Sequence, residues 1–267
     1  MRREAWLEAA LWSLAALCFF GASGFELGPA GYAPIAREAS FLRVVSWNVG
    51  GARGGESHGF LREHVEPVAQ TLSELEPDLV FLEEVQDAGA LEALAMRLGS
   101  RWTLQKGRGG VALFSTHGPL ETWRLPLARS IGVRLTVNGA ELACAALHAS
   151  AFSAHDRNRE IGATLDALLE QHGDAFLLAG DLNLDLDLDK RSDFFSNDVQ
   201  RDVETYNYVA TRLVDAARGR GPTAEPDRRL DYAFVSANVL VRGAGPWKGR
   251  RVDTMDHDPL VADIELR

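Results

Sequence analysis

Short apolar runs recur along the chain, and most of them stop or start at a polar side chain. Phe41-Leu42-Arg43-Val44-Val45-Ser46-Trp47 predicts a strand that ends at Asn48. Leu79 to Leu82 predicts a buried strand that ends at Glu83-Glu84. Val111 to Phe114 follows a Gly-Gly pair and predicts another. Ile131 to Val137 and Glu141 to Leu147 flank Asn138-Gly139, a dipeptide suited to a type I′ hairpin because both turn positions need positive φ. The second arm ends at His148. Ala175 to Ala179 predicts a buried strand that runs into Gly180-Asp181-Leu182-Asn183. Asp231 opens the strand Tyr232 to Val235, and Asp256-His257 opens the strand Leu260 to Ile264. Helical spacing lies between these runs, over Phe60 to Leu75, Ala88 to Leu98 and Arg157 to Gln171. In the last, Ile161, Leu165, Leu168 and Leu169 share one face.

Apolar interiors mean buried strands, and polar residues at the mouths of buried strands can converge at one end of a sheet, where sites form. Taken singly, an Asp or Asn at a strand end caps a turn, and a lone His beside an apolar strand is structural. Six such mouths together point to chemistry: Asn48, Glu84, His148, Asp181 with Asn183, Asp231, and Asp256 with His257. Carboxylates and amides of this kind suit a hard divalent cation such as Mg²⁺, with the histidines left for proton transfer. The only cysteines are Cys18 and Cys144, which excludes a disulfide-stapled scaffold and a Cys-rich zinc centre. A three-His cluster is also missing, which argues against a zinc hydrolase. Cys144 sits in the apolar run ELACAALH and reads as a buried strand residue.

Composition adds a limit on partners. The chain has 267 residues, 46% hydrophobic and 25% charged, as in a folded globular protein. Lys plus Arg is 28 against 38 for Asp plus Glu, a net charge of -10. A global basic footprint for nucleic acid is absent, so tight binding to long DNA requires a local cluster. At the N-terminus, Arg2 and Arg3 precede an uncharged run from Ala9 to Phe25 and the small residues Gly21 to Gly24. This layout reads as a secretory signal or an uncleaved membrane anchor over residues 1–25. Either places the remainder outside the cytoplasm, exported or membrane-anchored. Residues 26–40, with Gly28, Pro29, Gly31 and Pro34, read as a linker, and residues 41–267 as the folded domain.

The motifs SWNVG (Ser46 to Gly50), LVFLEEV (Leu79 to Val85), GGVALFS (Gly109 to Ser115), ALHAS (Ala146 to Ser150), AGDLNLD (Ala179 to Asp185), RLDYAFVS (Arg229 to Ser236) and MDHDPLVADI (Met255 to Ile264) follow in that order. Over residues 41–267 the chain resembles the endonuclease/exonuclease/phosphatase (DNase I-like) superfamily. The resemblance implies an α/β (α+β) four-layer sandwich, with two mixed β-sheets packed face to face and helices outside. It implies a Mg²⁺-dependent hydrolase of phosphodiesters or phosphomonoesters, with Mn²⁺ as a substitute. Glu84 would be the principal metal ligand, with Asn48 beside it and Asp256 tuning that metal or holding a second. Asp181 and Asn183 would position water and phosphoryl group. His148 would donate to a phosphoryl oxygen or assist the leaving group, and His257 would act as general base, oriented by Asp231. The substrate would be nucleic acid, a phospholipid head group or a small molecule, and the protein a monomer. An extracytoplasmic nuclease is the alternative within this class; a non-catalytic module that keeps the fold is the alternative outside it. The absence of an aromatic-rich insertion hairpin weakens a sphingomyelinase reading.

Some features depart from the family or mimic other motifs. Glu83 stands where Gln is frequent, and leaves open which glutamate is the ligand. His117 follows Ser115-Thr116 where an Arg is common, as a substitute or a bystander. The start of the third helical segment, His155 to Arg159, offers a cation to phosphate or forms a solvated first turn. Asp185 to Ser196 suggests a calcium loop but lacks the glycine and terminal Glu of an EF-hand. Gly50 to Gly55 lacks the lysine of a P-loop, although Arg53 could face substrate. Trp102, Trp123 and Trp247 read as packing residues.

Overall fold

Strand and helix alternate as the apolar pattern predicts, and the strands sort into two sheets. In the computed structural model, residues 31–51, 58–118, 120–127, 129–186, 197–249, 252 and 254–267 are described. Along the chain these are β1 (Leu42–Asn48), a 3₁₀ turn (Arg62–His64), α1 (Val65–Leu75), β2 (Leu79–Glu83), α2 (Ala88–Leu98), β3 (Thr103–Lys106), β4 (Ala112–Ser115), β5 (Glu121–Trp123), β6 (Ser130–Val137), β7 (Ala140–Leu147), α3 (Ala154–Leu169), β8 (Ala175–Asp181), α4 (Val199–Ala210), β9 (Val214–Asp215), β10 (Asp231–Val235), β11 (Leu240–Pro246) and β12 (Leu260–Glu265). One six-stranded sheet runs β11-β12-β1-β2-β4-β3 and the other β5-β6-β7-β8-β10-β9. Both are mixed: β1 is parallel to β2 and β7 to β8, while the remaining neighbours are antiparallel.

The period of two along each strand divides the core into layers. Leu42 and Val44 of β1, Cys144 and Ala146 of β7, and Leu177 and Ala179 of β8 meet in one cluster between the sheets. Val45 and Trp47 turn the other way and pack under Leu72 of α1 and Leu94 of α2. On the second sheet, Leu147, Leu178 and Phe234 face Ile161 and Leu165 of α3 and Val209 of α4. Helix, sheet, sheet and helix therefore stack as the four-layer sandwich that the family resemblance implies. Cys144 is fully buried and free, and burial pushes its thiol well above the usual range.

Local signals explain several boundaries. Asn138 and Gly139 have φ of 53° and 87°, as a type I′ turn requires, and Val137 pairs with Ala140 across it. The Asp87 carboxylate caps α2 by accepting from the backbone N–H of Gly89 and Ala90 at 2.8 and 3.1 Å. Ser153 caps α3 by accepting from Asp156 N–H. Elements without an apolar run escape sequence reading: exposed β3, short β5 and β9, the Gly- and Pro-bearing β11, and polar α4, whose buried face is Val199, Asp202, Thr205, Tyr206 and Val209.

Two registers fix where the chemistry gathers. In the parallel pair, Asn48 lies opposite Glu83. In the antiparallel pair β8/β10, Asp181 lies opposite Asp231. Residues 31–40 of the predicted linker have no regular secondary structure, but they are fastened to the first sheet. Tyr32 donates from its N–H to Pro246 O at 2.7 Å and from its hydroxyl to Asp263 at 2.6 Å, and Arg37 pairs with Asp78. Residues 1–30, which hold the predicted leader, lie outside the described residues, as do Arg53 and residues 187–196 of the calcium-like stretch. Among the described residues, no helix is long and apolar enough to cross a membrane.

Candidate active site

Polar side chains from both sheets meet around one carboxylate oxygen, Oδ2 of Asp181. Asn48, at the end of β1, donates from Nδ2 to this oxygen at 3.0 Å and to Glu84 Oε1 at 3.1 Å. Its Oδ1 accepts from Gly50 N–H at 3.0 Å. Asn48 thus ties the carboxylate of one sheet to that of the other. His148, just past β7, puts Nε2 at 3.6 Å from Asp181 Oδ2 and 3.8 Å from Glu84 Oε1. His257 places Nε2 at 3.8 Å from the same Asp181 oxygen, while its Nδ1 hydrogen bonds Asp231 Oδ2 at 2.8 Å.

Backbone geometry aims these groups. Glu84 has φ of 63°, a left-handed conformation uncommon for a side chain that is not glycine. It turns the carboxylate back over β1, so close to Gly50 that a Cβ there would sit 1.8 Å from Glu84 Oε2. Asn183 also has positive φ, 52°. The chain past β8 is therefore not extended: Asn183 N–H donates to Asp181 Oδ1 at 3.0 Å in an Asx turn. Its side chain donates to Ala149 O at 3.2 Å, while Leu182 is fully buried. Strain of this sort gathers at sites where a rigid scaffold holds it.

Positioning groups that the sequence did not single out complete the surroundings. Thr223 Oγ1 accepts from the backbone N–H of Leu230 and Asp231 at 3.0 Å each, which fixes the start of β10. Trp47 Nε1 donates to His257 O at 3.1 Å. Only SWNVG, which contains Trp47, offered a signal; Thr223 lies in no motif. Asp256 differs from its neighbours. Its side chain makes no hydrogen bond or ion pair among the described residues; it acts on His257 through its charge alone.

The electrostatics follow from crowding acids in a dry place. Burial disfavours a charged imidazole at His257, but the carboxylates of Asp231 and Asp181 outweigh it, and the pKa is pushed up to about 10. Glu83 is fully buried at the end of β2. Burial first, then the charges of Asp231 and Asp181, push its carboxyl well above the usual range. Its Oε1 meets only Ser46 Oγ, at 3.5 Å. Among the described residues, Glu83 Oε2 and Asp231 Oδ1 are buried without a hydrogen-bond partner. The ligand-capable atoms of Asp181, Asp231 and His257 lie within 4.8 Å of one another. Surplus buried carboxylate oxygen and imidazole nitrogen together fit a hard divalent cation. Two glutamates border this centre: Glu84, a quarter exposed and 3.8 Å from His148 Nε2, and fully buried Glu83, which feels the charges of Asp231 and Asp181.

Other expectations resolve differently. Arg157 neither faces phosphate nor lies in a solvated turn. It is fully buried, donates from Nε and Nη2 to Asp202 at 3.0 and 2.8 Å, and donates from Nη1 to Ser150 O and Ala151 O. His117 stands at the wrong end of its sheet: β4 runs antiparallel to β2, with Ser115 opposite Leu79, far from Glu84 along the strand. Trp102, Trp123 and Trp247 are partly buried against the two outer cores.

Solved structures share this architecture. D. rerio TDP2 humanised by 14 mutations is 17% identical over 85% of this chain and 99% of its own, with a TM-score of 0.67. D. rerio TDP2 in complex with single-strand DNA product is 16% identical over the same shares, with a TM-score of 0.65. The human Nocturnin catalytic domain with bound sulfate is 20% identical over 87% of this chain and 97% of its own, with a TM-score of 0.62. No curated protein sequence matches the chain. Residues 45–252 match the model of the Endonuclease/Exonuclease/phosphatase family, and the chain belongs to that family.

Proposed function

We propose that this protein is a Mg²⁺-dependent phosphoesterase in which His257, oriented by Asp231, is the general base for attack of water on a phosphoester. The family is generally hydrolytic on phosphoester bonds, and its enzymes usually use a divalent metal. The observation that carries the reading is the shared oxygen of Asp181, within 4 Å of Asn48, His148 and His257 side chains contributed by both sheets.

Glu84 is the anchoring ligand for the cation, and Asn48 holds it in register with Asp181. Asp256 adds negative charge at the rim. A divalent ion held there would offset the anionic charge of the phosphoester, stabilise the departing oxygen and weaken the field that keeps His257 protonated. Asp231 fixes the His257 tautomer through Nδ1, leaving Nε2 to take a proton from water on the Asp181 side. Asp181 and the Asn183 amide orient that water and the phosphoryl group. His148 Nε2 is placed to donate to a phosphoryl oxygen or to the leaving group. Residues 1–25 export or anchor the chain, so that this chemistry takes place outside the cytoplasm. A nucleic-acid substrate gains support from the neighbour solved with single-strand DNA product.

The test is hydrolysis of bis-p-nitrophenyl phosphate, DNA, sphingomyelin and inositol phosphates with Mg²⁺ or Mn²⁺. At least one is expected to turn over, and EDTA is expected to abolish the activity. Glu84→Gln and His257→Ala are each expected to lower kcat on the order of 10²-fold or more. Activity that survives both substitutions sinks the assignment.

A further inference from the structure

Beside the proposed centre, two hollows adjoin each other on the side of β2 and β6. The first, of about 430 Å³, is lined by Val85, Gln86, Leu91, Gly110, Val111 and Arg129, among others. The second, of about 160 Å³, is lined by Arg108, Trp123, Arg124, Leu125 and Ile131, among others. They share Lys106 and Gly107. The first begins next to the catalytic groups: Val85 and Gln86 follow Glu84, and the backbone N–H of His148 donates to Arg129 O at 3.0 Å.

The charge in this strip is one-sided. Among the described residues, no Asp or Glu lines either hollow, in a chain with ten more acids than bases. Lys106 is neutralised by Glu92 at 2.8 Å. Arg108, Arg124 and Arg129 have no ion-pair partner among the described residues; Arg62, Arg101, Arg212, Arg218 and Arg220 share that property, but none of those lines either hollow. Backbone hydrogen bonds and a close approach tie the strip to the strands beneath it. Gly107 N–H donates to Val111 O at 2.8 Å and Arg108 N–H to Ser130 O at 3.1 Å, and a Cβ at Gly107 would sit 2.8 Å from Ile131. Gly109 and Gly110 take φ of 61° and 83°, which glycine allows freely.

We propose that this strip is a substrate track for single-stranded nucleic acid, with Arg129, Arg108 and Arg124 contacting phosphates beyond the scissile one. The inference rests on the phosphoesterase reading and narrows its substrate. Unpaired arginines set between apolar walls match the alternation of phosphates and bases along a strand. A compact polyanion such as an inositol phosphate would use the arginines but leave the apolar hollows unfilled.

The test uses the full chain and Arg108→Ala, Arg124→Ala and Arg129→Ala, singly and combined. The first readout is binding of a fluorescent oligothymidylate in EDTA, which needs no turnover. The triple variant is expected to bind at least tenfold more weakly. The slope of log Kd against log salt should fall by about 0.7 for each phosphate that an arginine no longer neutralises. Arg→Lys replacements should restore much of the salt slope. The second readout is hydrolysis: kcat/KM on the oligonucleotide should fall tenfold or more, and on bis-p-nitrophenyl phosphate less than twofold. Equal losses on both substrates, unchanged oligonucleotide binding in the triple variant, or competition by inositol hexakisphosphate stronger than by an oligonucleotide of equal charge would overturn the track. If no phosphoester is hydrolysed but the salt-dependent binding loss is seen, the track stands and the catalytic reading falls.

Discussion

Arg157 and Asp202 are as deeply buried as Asp231 and Glu83, yet the two pairs meet opposite conditions. The guanidinium of Arg157 faces both oxygens of Asp202 and two backbone carbonyls of the loop after His148. Arg43 with Asp263 and Arg229 with Asp215 repeat the pattern in other parts of the fold. At the proposed centre, Asp231 satisfies one oxygen with His257 and leaves the other bare, and Glu83 also has a bare oxygen. Buried charge elsewhere is closed off by arginine; here acid is in excess, with imidazole as the counter-charge. A folded chain tolerates such an arrangement where its surroundings over-determine it, and the surplus acid is what a bound cation requires. The comparison separates residues kept for stability from residues kept at a cost to stability.

The sharpest way to break the comparison is to remove one partner from each kind of site. Arg157→Met leaves Asp202 buried without its guanidinium and is expected to cost about 3–5 kcal/mol. It also frees the carbonyls of Ser150 and Ala151, so the loop beyond His148 should loosen. Asp231→Asn removes the carboxylate that holds the proton on His257, but it also relieves the repulsion between Asp231 and Asp181, so it is expected to cost less. Urea unfolding of both variants measures the difference. A larger loss for Asp231→Asn would mean that the centre is a structural ion pair like the others.

Asp181→Asn sharpens the contrast from the side of function. The shared oxygen loses its charge, so hydrolysis is expected to fall on the order of 10²-fold, while the metal-free unfolding midpoint is expected to hold or rise because repulsion with Asp231 and Glu83 is relieved. Activity and stability moving down together would contradict this. Metal binding gives a smaller effect in the same frame. At ten times Kd, Mg²⁺ or Mn²⁺ should stabilise the wild type by about 1.4 kcal/mol through mass action. That gain should vanish in Glu84→Gln and survive in Arg159→Ala, whose side chain is exposed and pairs with Asp156 on its own helix. Thermal melts with and without EDTA supply the measurement.

Much of this contrast was legible in the sequence, and the failures have physical causes. Apolar runs mark buried strands because burial on both faces leaves no room for polar alternation, so β1, β2, β7, β8, β10 and β12 stood out, with the polar residues at their mouths. Exposed β3 and polar α4 lack that signal. Arg157 shows the deeper limit. In the string HDRNRE it is indistinguishable from a solvated helix start, because its partner Asp202 lies 45 residues away on a helix that the pattern does not reveal. Asn183 comes just after a strand, yet its backbone is not extended, because local hydrogen bonding to the Asp181 carboxylate turns the chain. The unpaired arginines could not be separated from paired ones until the carboxylates were placed.

The gentlest probe is pH, applied to the metal-free protein. His257 titrates near 6.5 when unperturbed, and its neighbours raise it to about 10 in the folded chain. The folded state therefore binds this proton more tightly than the unfolded state. The stabilisation it contributes is fully present below about pH 6.5, declines as the unfolded chain releases the proton, and is gone once pH passes about 10. One proton sets the limiting slope, about 1.4 kcal/mol per pH unit. His257→Ala should flatten the stability profile between those two values and leave it unchanged in shape below them. Arg157→Met lowers the whole curve but should keep the slope, because arginine does not titrate in this range. If the wild-type profile is already flat from pH 7 to 10, the carboxylates of Asp231 and Asp181 do not hold a proton on His257, and the centre is electrostatically no different from the closed pairs elsewhere.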